Sequence, residues 1–467
     1  MKIKSFERRD REHFLSRRNL IKWSLATGAA LGVPVWKVFE ILESNAGYAV
    51  AGPASCLESN RSIHLVAGGG GLGWFAQLFP HPDLARAASN TFTFPRPGEA
   101  IEVPGADHDL VLGPDSPRKT LAPEKQITCI MGGDIEIHTD FPAYTSTLGS
   151  NTSLFAACSA MQLTNPTLVP VITVGGQSLG AAPGAPRAAS VPSSESILAL
   201  FDSAASRLGG VLEDSQDALL FESYYNSLLE LNAAVGKPGT ARGLATGQDA
   251  ARLLGTNLSN ELAPSAADLL RYQIGPATRE LQSELGKGLI IAAKAFRLGL
   301  TSMVVLPAMI EDPHGAFDQG GFMATEVGQL GHMIDMFFAD LQVDDPWCAG
   351  TMIEDNTVMS IHGDTPRTPF QRSNWPDPTP GNCNTAFVYG AGYLKSGWFG
   401  RVERSGDSSI QLWDPATGDL MPFTGARRRA NAKHAAAAVA FAVARGDERR
   451  VSDFTDDKVQ GITNLPF

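Results

Sequence analysis

The stretch from Met303 to Tyr393 constrains the fold of this chain more than any other, because it alternates apolar runs with polar loops. An apolar run at 303–307 is followed by a polar turn, a long amphipathic segment at 322–341 and a second apolar run at 357–361. A third apolar run, 385–390, follows a loop rich in Gly, Pro and Asn. This order of strand, loop, helix and strand predicts an α/β sheet, in which functional sites form in loops at the carboxyl ends of strands.

Polar residues that could carry chemistry follow two of these predicted strands. Asp312 and His314 lie two residues apart after the first strand, so on extended backbone they face one way and could hold one divalent metal. His362 and Asp364 have the same spacing after the second strand and could act as a general acid/base pair. Arg367 could bind an anionic substrate. The alternatives are a hydrogen-bonded turn at the first pair and a polar loop, with an Asp364–Arg367 ion pair, at the second.

The acidic composition argues against a nucleic-acid-binding protein. The 467 residues include 38 Lys and Arg against 49 Asp and Glu, which gives a net charge of −11, whereas nucleic-acid binders carry a basic surface. A hydrophobic content of 43% supplies a core, and 47 glycines with 30 prolines predict many loops. The five cysteines have no zinc-site spacing. One or two disulfides could form if the protein leaves the cytoplasm, and the sequence does not determine their pairing.

Residues 1–51 are predicted to be an export signal. Ser16-Arg17-Arg18 precedes Leu20, Ile21 and Lys22, a pattern that resembles the twin-arginine signal. The apolar run at 23–36 is too short to span a bilayer comfortably, as in a signal peptide. Ala49-Val50-Ala51 offers a cleavage site, but charged residues between 37 and 43 leave an uncleaved anchor open. We therefore predict a periplasmic or secreted protein that contacts the membrane only through this segment, if it is uncleaved.

Residues 52–467 are predicted to form a single α/β domain. Arg61–Ala67 has the composition of a buried strand and ends in a glycine-rich turn at 68–73. Helical spacing prevails at 193–300, which we interpret as an insertion packed on the sheet. Strand-like segments on both sides of this insertion have to build one sheet.

The loops after the predicted strands resemble those of the twin-arginine-exported bacterial family known as domain of unknown function 1501. The segment 310–314, Ile-Glu-Asp-Pro-His, is similar to the family's Gly-Gly-Trp-Asp-Thr-His and keeps the Asp and the His. The segment 359–365, Met-Ser-Ile-His-Gly-Asp-Thr, is similar to Met-Ser-Glu-Phe-Gly-Arg-Thr. The resemblance spans roughly residues 60–425. It implies an alkaline phosphatase/sulfatase-like central mixed sheet flanked by helices, and metal-dependent hydrolysis of phosphate or sulfate esters.

Departures from the family pattern decide between two functions. Gly replaces the first-strand Asp at 67–71, Ile361 replaces the Glu, and Thr379-Pro380 replaces an Asp-His pair. Two surviving ligands do not complete a metal site. The sequence therefore predicts an exported scaffold without the usual two-metal site, which binds an unidentified small molecule or protein. The alternative is an ester hydrolase with a rearranged site that holds one divalent metal such as Zn²⁺.

Overall fold

The computed structural model describes residues 56–86, 98–117, 126–133, 147–149, 151–201, 257–313, 320–364, 383–402, 410–457 and 459–464. The chain divides into two compact units. The larger comprises residues 55–165, 170–194 and 264–467, and the smaller comprises 1–54, 166–169 and 195–263. The predicted signal at 1–51 lies outside the described residues.

The larger unit is built on an eight-stranded sheet, whose strands are β1 (Arg61–Ala67), β4 (Thr128–Gly132), β7 (Val171–Val174), β8 (Ala189–Val191), β9 (Met303–Pro307), β10 (Thr357–Gly363), β11 (Asn384–Tyr389) and β12 (Gly397–Phe399). Their order across the sheet is β12-β4-β11-β10-β1-β9-β7-β8. Strand β11 runs antiparallel to β10 and to β4, and the other neighbours pair in parallel. Three small sheets contain β2 (Ile101–Glu102) with β3 (Val111–Leu112), β5 (Thr147–Gly149) with β6 (Thr152–Ser153), and β13 (Arg401–Val402) with β14 (Ile410–Trp413) and β15 (Leu420–Pro422). The sequence prediction of a mixed sheet flanked by helices is confirmed at this level.

The centre of the sheet is the parallel pair β1 and β10, in register from Arg61 opposite Thr357 to Ala67 opposite Gly363. Every residue of both strands is buried. Parallel strands covered on both faces have this continuous burial, and their apolar runs were for that reason visible in the sequence.

Helices cover both faces of the sheet. The described helices of the larger unit are α1 (Leu72–Ala76), α2 (Pro82–Arg86), α3 (Leu154–Met161), α6 (Ala266–Arg271), α7 (Glu280–Arg297), α8 (Gly320–Asp340), α9 (Gly425–Val443) and α10 (Glu448–Ser452), and those of the smaller unit are α4 (Ser196–Leu200) and α5 (Leu258–Leu262). Helices α3 and α9 share one apolar cluster with Val66, Val305 and Val358. On the opposite face α7 contacts β9 and α8, and Phe338 of α8 stacks edge-on against Tyr389 of β11 at 5.1 Å between ring centroids.

The described part of the smaller unit consists mainly of α4 and α5, which contact each other. Helix α5 begins at an Asn257 side chain that accepts a hydrogen bond from the backbone N–H of Asn260. Residues 202–256 lie outside the described part of the chain. The single domain with an insertion at 193–300 therefore stays a prediction.

A disulfide joins Cys56 to Cys348 across 292 positions of sequence. Cys129 and Cys158 are free cysteines, and both they and Cys383 are buried. Within the described residues, no helix combines the length and the apolar character that crossing a membrane requires.

Candidate functional site

The carboxyl end of β1 is closed by direct packing of backbone on backbone. The glycine turn that follows β1 lies against residues 309–311, and a Cβ added to Gly71 would lie 1.7 Å from the carbonyl oxygen of Met309. Gly69 adopts a φ of +62°, and a Cβ there would lie 3.2 Å from the carbonyl oxygen of Ile310. The indole N–H of Trp74 donates to the carbonyl of Glu311 at 2.8 Å. Glycines are required here because only they permit this approach.

Asp364 fastens the end of β10 to the same turn. Its side chain is fully buried, and Oδ1 accepts a hydrogen bond from the backbone N–H of Gly70 at 2.8 Å. Asn384, at the start of β11, donates from Nδ2 to the carbonyl of Gly363 at 3.1 Å. These bonds tie the ends of three neighbouring strands together.

His362 lies within β10 and not in the loop after it. The sequence predicted that the strand ends at Ile361, but pairing with Val66 of β1 and Ala386 of β11 extends it to Gly363. The imidazole is fully buried and lies edge-on to the ring of Phe155 in α3, at 5.4 Å between centroids. His362 is therefore placed in the layer between the sheet and α3.

His362 belongs to a chain of buried polar groups that sequence reasoning did not find. Ser360 Oγ lies 2.7 Å from His362 Nε2 and also 2.7 Å from Nδ1 of His64, the residue opposite Ser360 on β1. His64 Nε2 lies 3.0 Å from Ser62 Oγ, which in turn lies 3.0 Å from Nε2 of Gln162. The signal available in sequence was the alternation of Ser and His within two otherwise apolar strands.

The directions of the hydrogen bonds along this series of buried polar groups depend on one another, because each hydroxyl donates only one proton. The Nε2 of Gln162 is closer to Ser62 Oγ, at 3.0 Å, than its Oε1 is, at 3.4 Å. If Gln162 donates, Ser62 donates to His64 Nε2, His64 donates from Nδ1 to Ser360, and Ser360 donates to His362. Burial, followed by the neighbouring His362, lowers the pKa of His64 well below its ordinary value. The arrangement therefore provides a neutral His64 imidazole that joins β1 to β10 through Ser360.

The remaining predicted site residues are only partly placed. Asp312 is half-buried in the segment after β9, and His314 and Arg367 lie outside the described residues. Among the residues that the structure describes, no three His, Cys, Asp or Glu side chains form a group that could hold a metal. The metal site at Asp312 and His314, and the catalytic roles of His362, Asp364 and Arg367, stay predictions.

An open groove of about 760 Å³ runs along α8 on the other face of the sheet. Polar and apolar surface contribute about equally to its lining, which comprises Asp115, Ser116, Gln273, Gly275, Pro276, Ala277, Thr278, Ala324, Thr325, Glu326, Gly328, Gln329, His332 and Asp335. Sequence reasoning missed this groove because its walls come from three distant segments.

The groove walls are held by hydrogen bonds. Gln329 donates from Nε2 to the carbonyl of Gln273 at 2.8 Å and to Thr278 Oγ1 at 3.1 Å. A ring nitrogen of His332 lies 2.7 Å from the carbonyl oxygen of Arg271. The groove is therefore formed before any ligand arrives.

Arg279 borders the groove and connects it to an exposed apolar edge. Its guanidinium pairs with Glu326 at 2.9 Å and also with Glu311. It lies over the rings of Trp74, at 5.5 Å, and Phe322, at 5.4 Å. Phe322 is 38% exposed, so part of this aromatic surface faces solvent.

Comparison with known proteins does not assign the chain to a family. No protein-family model, no curated protein and no solved structure matches the chain. What the fold defines is the class of protein, an α/β protein with a mixed eight-stranded sheet.

Proposed function

We propose that this is an exported binding protein on an alkaline phosphatase/sulfatase-like sheet, and not a two-metal ester hydrolase. The observation that carries the proposal is the closed end of β1, where a Cβ on Gly71 would lie 1.7 Å from the carbonyl oxygen of Met309. In the family that the sequence resembles, this strand end carries an Asp. Here the space beside the strand is filled by backbone.

The role of Asp364 supports the same proposal. A carboxylate that serves as a metal ligand or a base must face the substrate, but Asp364 is fully buried and accepts the N–H of Gly70. Its contribution is to hold the glycine turn on the end of β10, since a buried carboxylate requires hydrogen-bond partners.

The disulfide supports export. Disulfides such as Cys56–Cys348 persist in oxidising compartments and are rare in the cytoplasm. Together with Ser16-Arg17-Arg18 this favours the periplasm or the exterior.

We place the ligand in the groove along α8. The volume of the groove lies within the range of volumes found for small-molecule sites. The acidic residues Asp115 and Asp335 are among those that line it, whereas the carboxylate of Glu326 is paired with Arg279. This lining suits a polar ligand that carries N–H or O–H donors.

Metal analysis and an activity assay test the proposal. We expect protein purified after native export to hold less than one equivalent of Zn²⁺, Mn²⁺ or Mg²⁺ per chain by mass spectrometry. We also expect no hydrolysis of p-nitrophenyl phosphate or p-nitrophenyl sulfate above the buffer rate with these metals added. Stoichiometric metal, with hydrolysis that Asp312→Ala abolishes, would establish the hydrolase instead.

A thermal-shift experiment tests the groove. Spermidine, which carries only donors, is expected to raise the melting temperature more than maltose or phosphate, and Asp335→Asn should reduce that increase. Asp453→Asn is the matched control, because it removes the same charge from an exposed position outside the groove. An equal effect of both variants would exclude the groove as the binding site.

A further inference from the structure

The disulfide Cys56–Cys348 is surrounded by non-covalent contacts that fix both of its ends. Cys348 is 2% exposed and lies in the segment after α8, whereas Cys56 is half-buried and lies just before β1. The two ends can therefore be considered separately.

The Cys348 end is fixed by a buried ion pair. Asp345 accepts two hydrogen bonds from the guanidinium of Arg61, the first residue of β1, at 2.7 and 2.9 Å. Both side chains are fully buried. The ring of Trp347 lies over the same guanidinium at 3.9 Å, and Asn356 donates to Asp345 at 2.9 Å. This segment is thus attached to β1 beside the disulfide, without needing the covalent bond.

The Cys56 end is fixed by residues that follow it directly. Ser59 donates from Oγ to the carbonyl of Met161 at 2.7 Å. Asn60 donates from its backbone N–H to the carbonyl of Val443 and from Nδ2 to that of Ala442, each at 2.8 Å. The chain between Cys56 and β1 is held in place by these bonds.

We propose that Cys56–Cys348 is a redox latch that closes on the already folded protein after export, and that Asp345 is a positioning residue for it. The location of the closing step rests on the proposed export, but the latch itself does not. In the reduced protein, the contacts of Arg61, Ser59 and Asn60 keep the two thiols adjacent. Closure is then an intramolecular step with a high effective concentration.

The exposure of the two cysteines sets the order of the chemistry. A disulfide oxidant reaches the half-buried Cys56 first. The Cys56 thiolate attacks the oxidant and displaces one of its two thiolates, which gives a mixed disulfide. The Cys348 thiolate then attacks the Cys56 sulfur and displaces the second thiolate. The protein loses two electrons and two protons, and the oxidant becomes two thiols. Burial raises the pKa of the Cys129 and Cys158 thiols above its ordinary value. Burial also raises the pKa of the Cys383 thiol, to about 12, so all three thiols are protonated and unreactive at neutral pH.

The test follows oxidation of the reduced full chain by oxidised glutathione, with alkylation and mass spectrometry at timed intervals. We expect closure in buffer to be roughly tenfold faster, or more, than closure in denaturant. In Cys348→Ser the glutathione adduct should accumulate on Cys56, whereas Cys56→Ser should acquire little adduct on Cys348. Equal closure rates in buffer and denaturant, or adduct that forms first on Cys348, would overturn the latch.

Asp345→Asn tests the positioning role. It should slow the closing step roughly tenfold while the adduct on Cys56 forms at the wild-type rate, a split that a general loss of structure would not give. Asp344→Asn, at the exposed neighbouring position, is the matched control and should close like the wild type. If Asp345→Asn lacks a cooperative thermal transition, Asp345→Glu keeps the charge, displaces the carboxylate by one methylene and tests the same contact with Arg61. Closure at the wild-type rate in the folded variant would overturn the role of Asp345.

Discussion

Two buried histidines, His64 and His81, contribute to the pH dependence of the stability of the larger unit. Burial lowers the pKa of His81 to about 3, and it lowers that of His64 well below its ordinary value. In the unfolded chain both imidazoles have a pKa of about 6.5. Below that pH the unfolded state therefore binds more protons than the folded state. The contribution of these two groups to the free energy of unfolding is therefore complete above a pH of about 6.5 and is lost on acidification.

His81→Phe tests this dependence. The ring of His81 lies 3.8 Å from that of Trp398, and its Nδ1 has no hydrogen-bond partner among the described residues. Phenylalanine therefore retains the ring contact and removes the titration. Between pH 6.5 and 3, we expect the unfolding free energy of the variant to fall less steeply, by about 1.4 kcal/mol per pH unit. Urea unfolding at several pH values measures the two slopes, and parallel slopes would contradict the assignment.

Residue-level chemistry could be predicted from sequence only in part. Asp364 was identified as a notable polar residue, but its partner is the N–H of Gly70, far away in the chain. His64 and Ser360 lie in runs that read as buried strands. Their hydrogen bond depends on the register of β1 against β10, which no local pattern encodes.

At the scale of elements, the close backbone contact in the turn after β1 can be tested by mutation. Gly71→Ala is expected to destabilise the protein by more than about 3 kcal/mol, since neither backbone can move away from the added methyl group without breaking the turn. Gly321→Ala is the matched control, because a Cβ there meets nothing within 4 Å and α8 should gain roughly 0.5–1 kcal/mol. Thermal unfolding of both variants distinguishes a close contact from a general intolerance of the substitution.

The predicted bounds of strands and helices agree closely with the structure where the apolar residues of a segment have a single periodicity. Strand β9 spans 303–307 and α8 spans 320–340, close to the apolar run and the amphipathic segment that predicted them. Helix α3 begins only at Leu154, because residues 152–153 pair in a strand. The groove could not be predicted, since it requires Asp115, Gln273 and α8 to meet in space.

At the scale of the whole molecule, export is the property that the sequence predicts most directly. Replacing Arg17 and Arg18 with Lys should leave the protein in the cytoplasm, because the twin-arginine route recognises the arginine pair. Fractionation of cells followed by immunoblotting measures this. Replacing Arg8 and Arg9 with Lys is the matched control, because it makes the same double change outside Ser16-Arg17-Arg18. Undiminished export of the Lys variant would mean that another route is used.

The bond between Cys56 and Cys348 also has a topological consequence. It encloses most of the chain in one covalent ring, since the two residues are 292 positions apart. A protease that cuts once anywhere inside this ring opens it without releasing a fragment. The nicked protein would keep its full mass on a gel run without reductant and would separate into two pieces only after reduction. In a compartment rich in proteases, one cut need not be the end of the molecule.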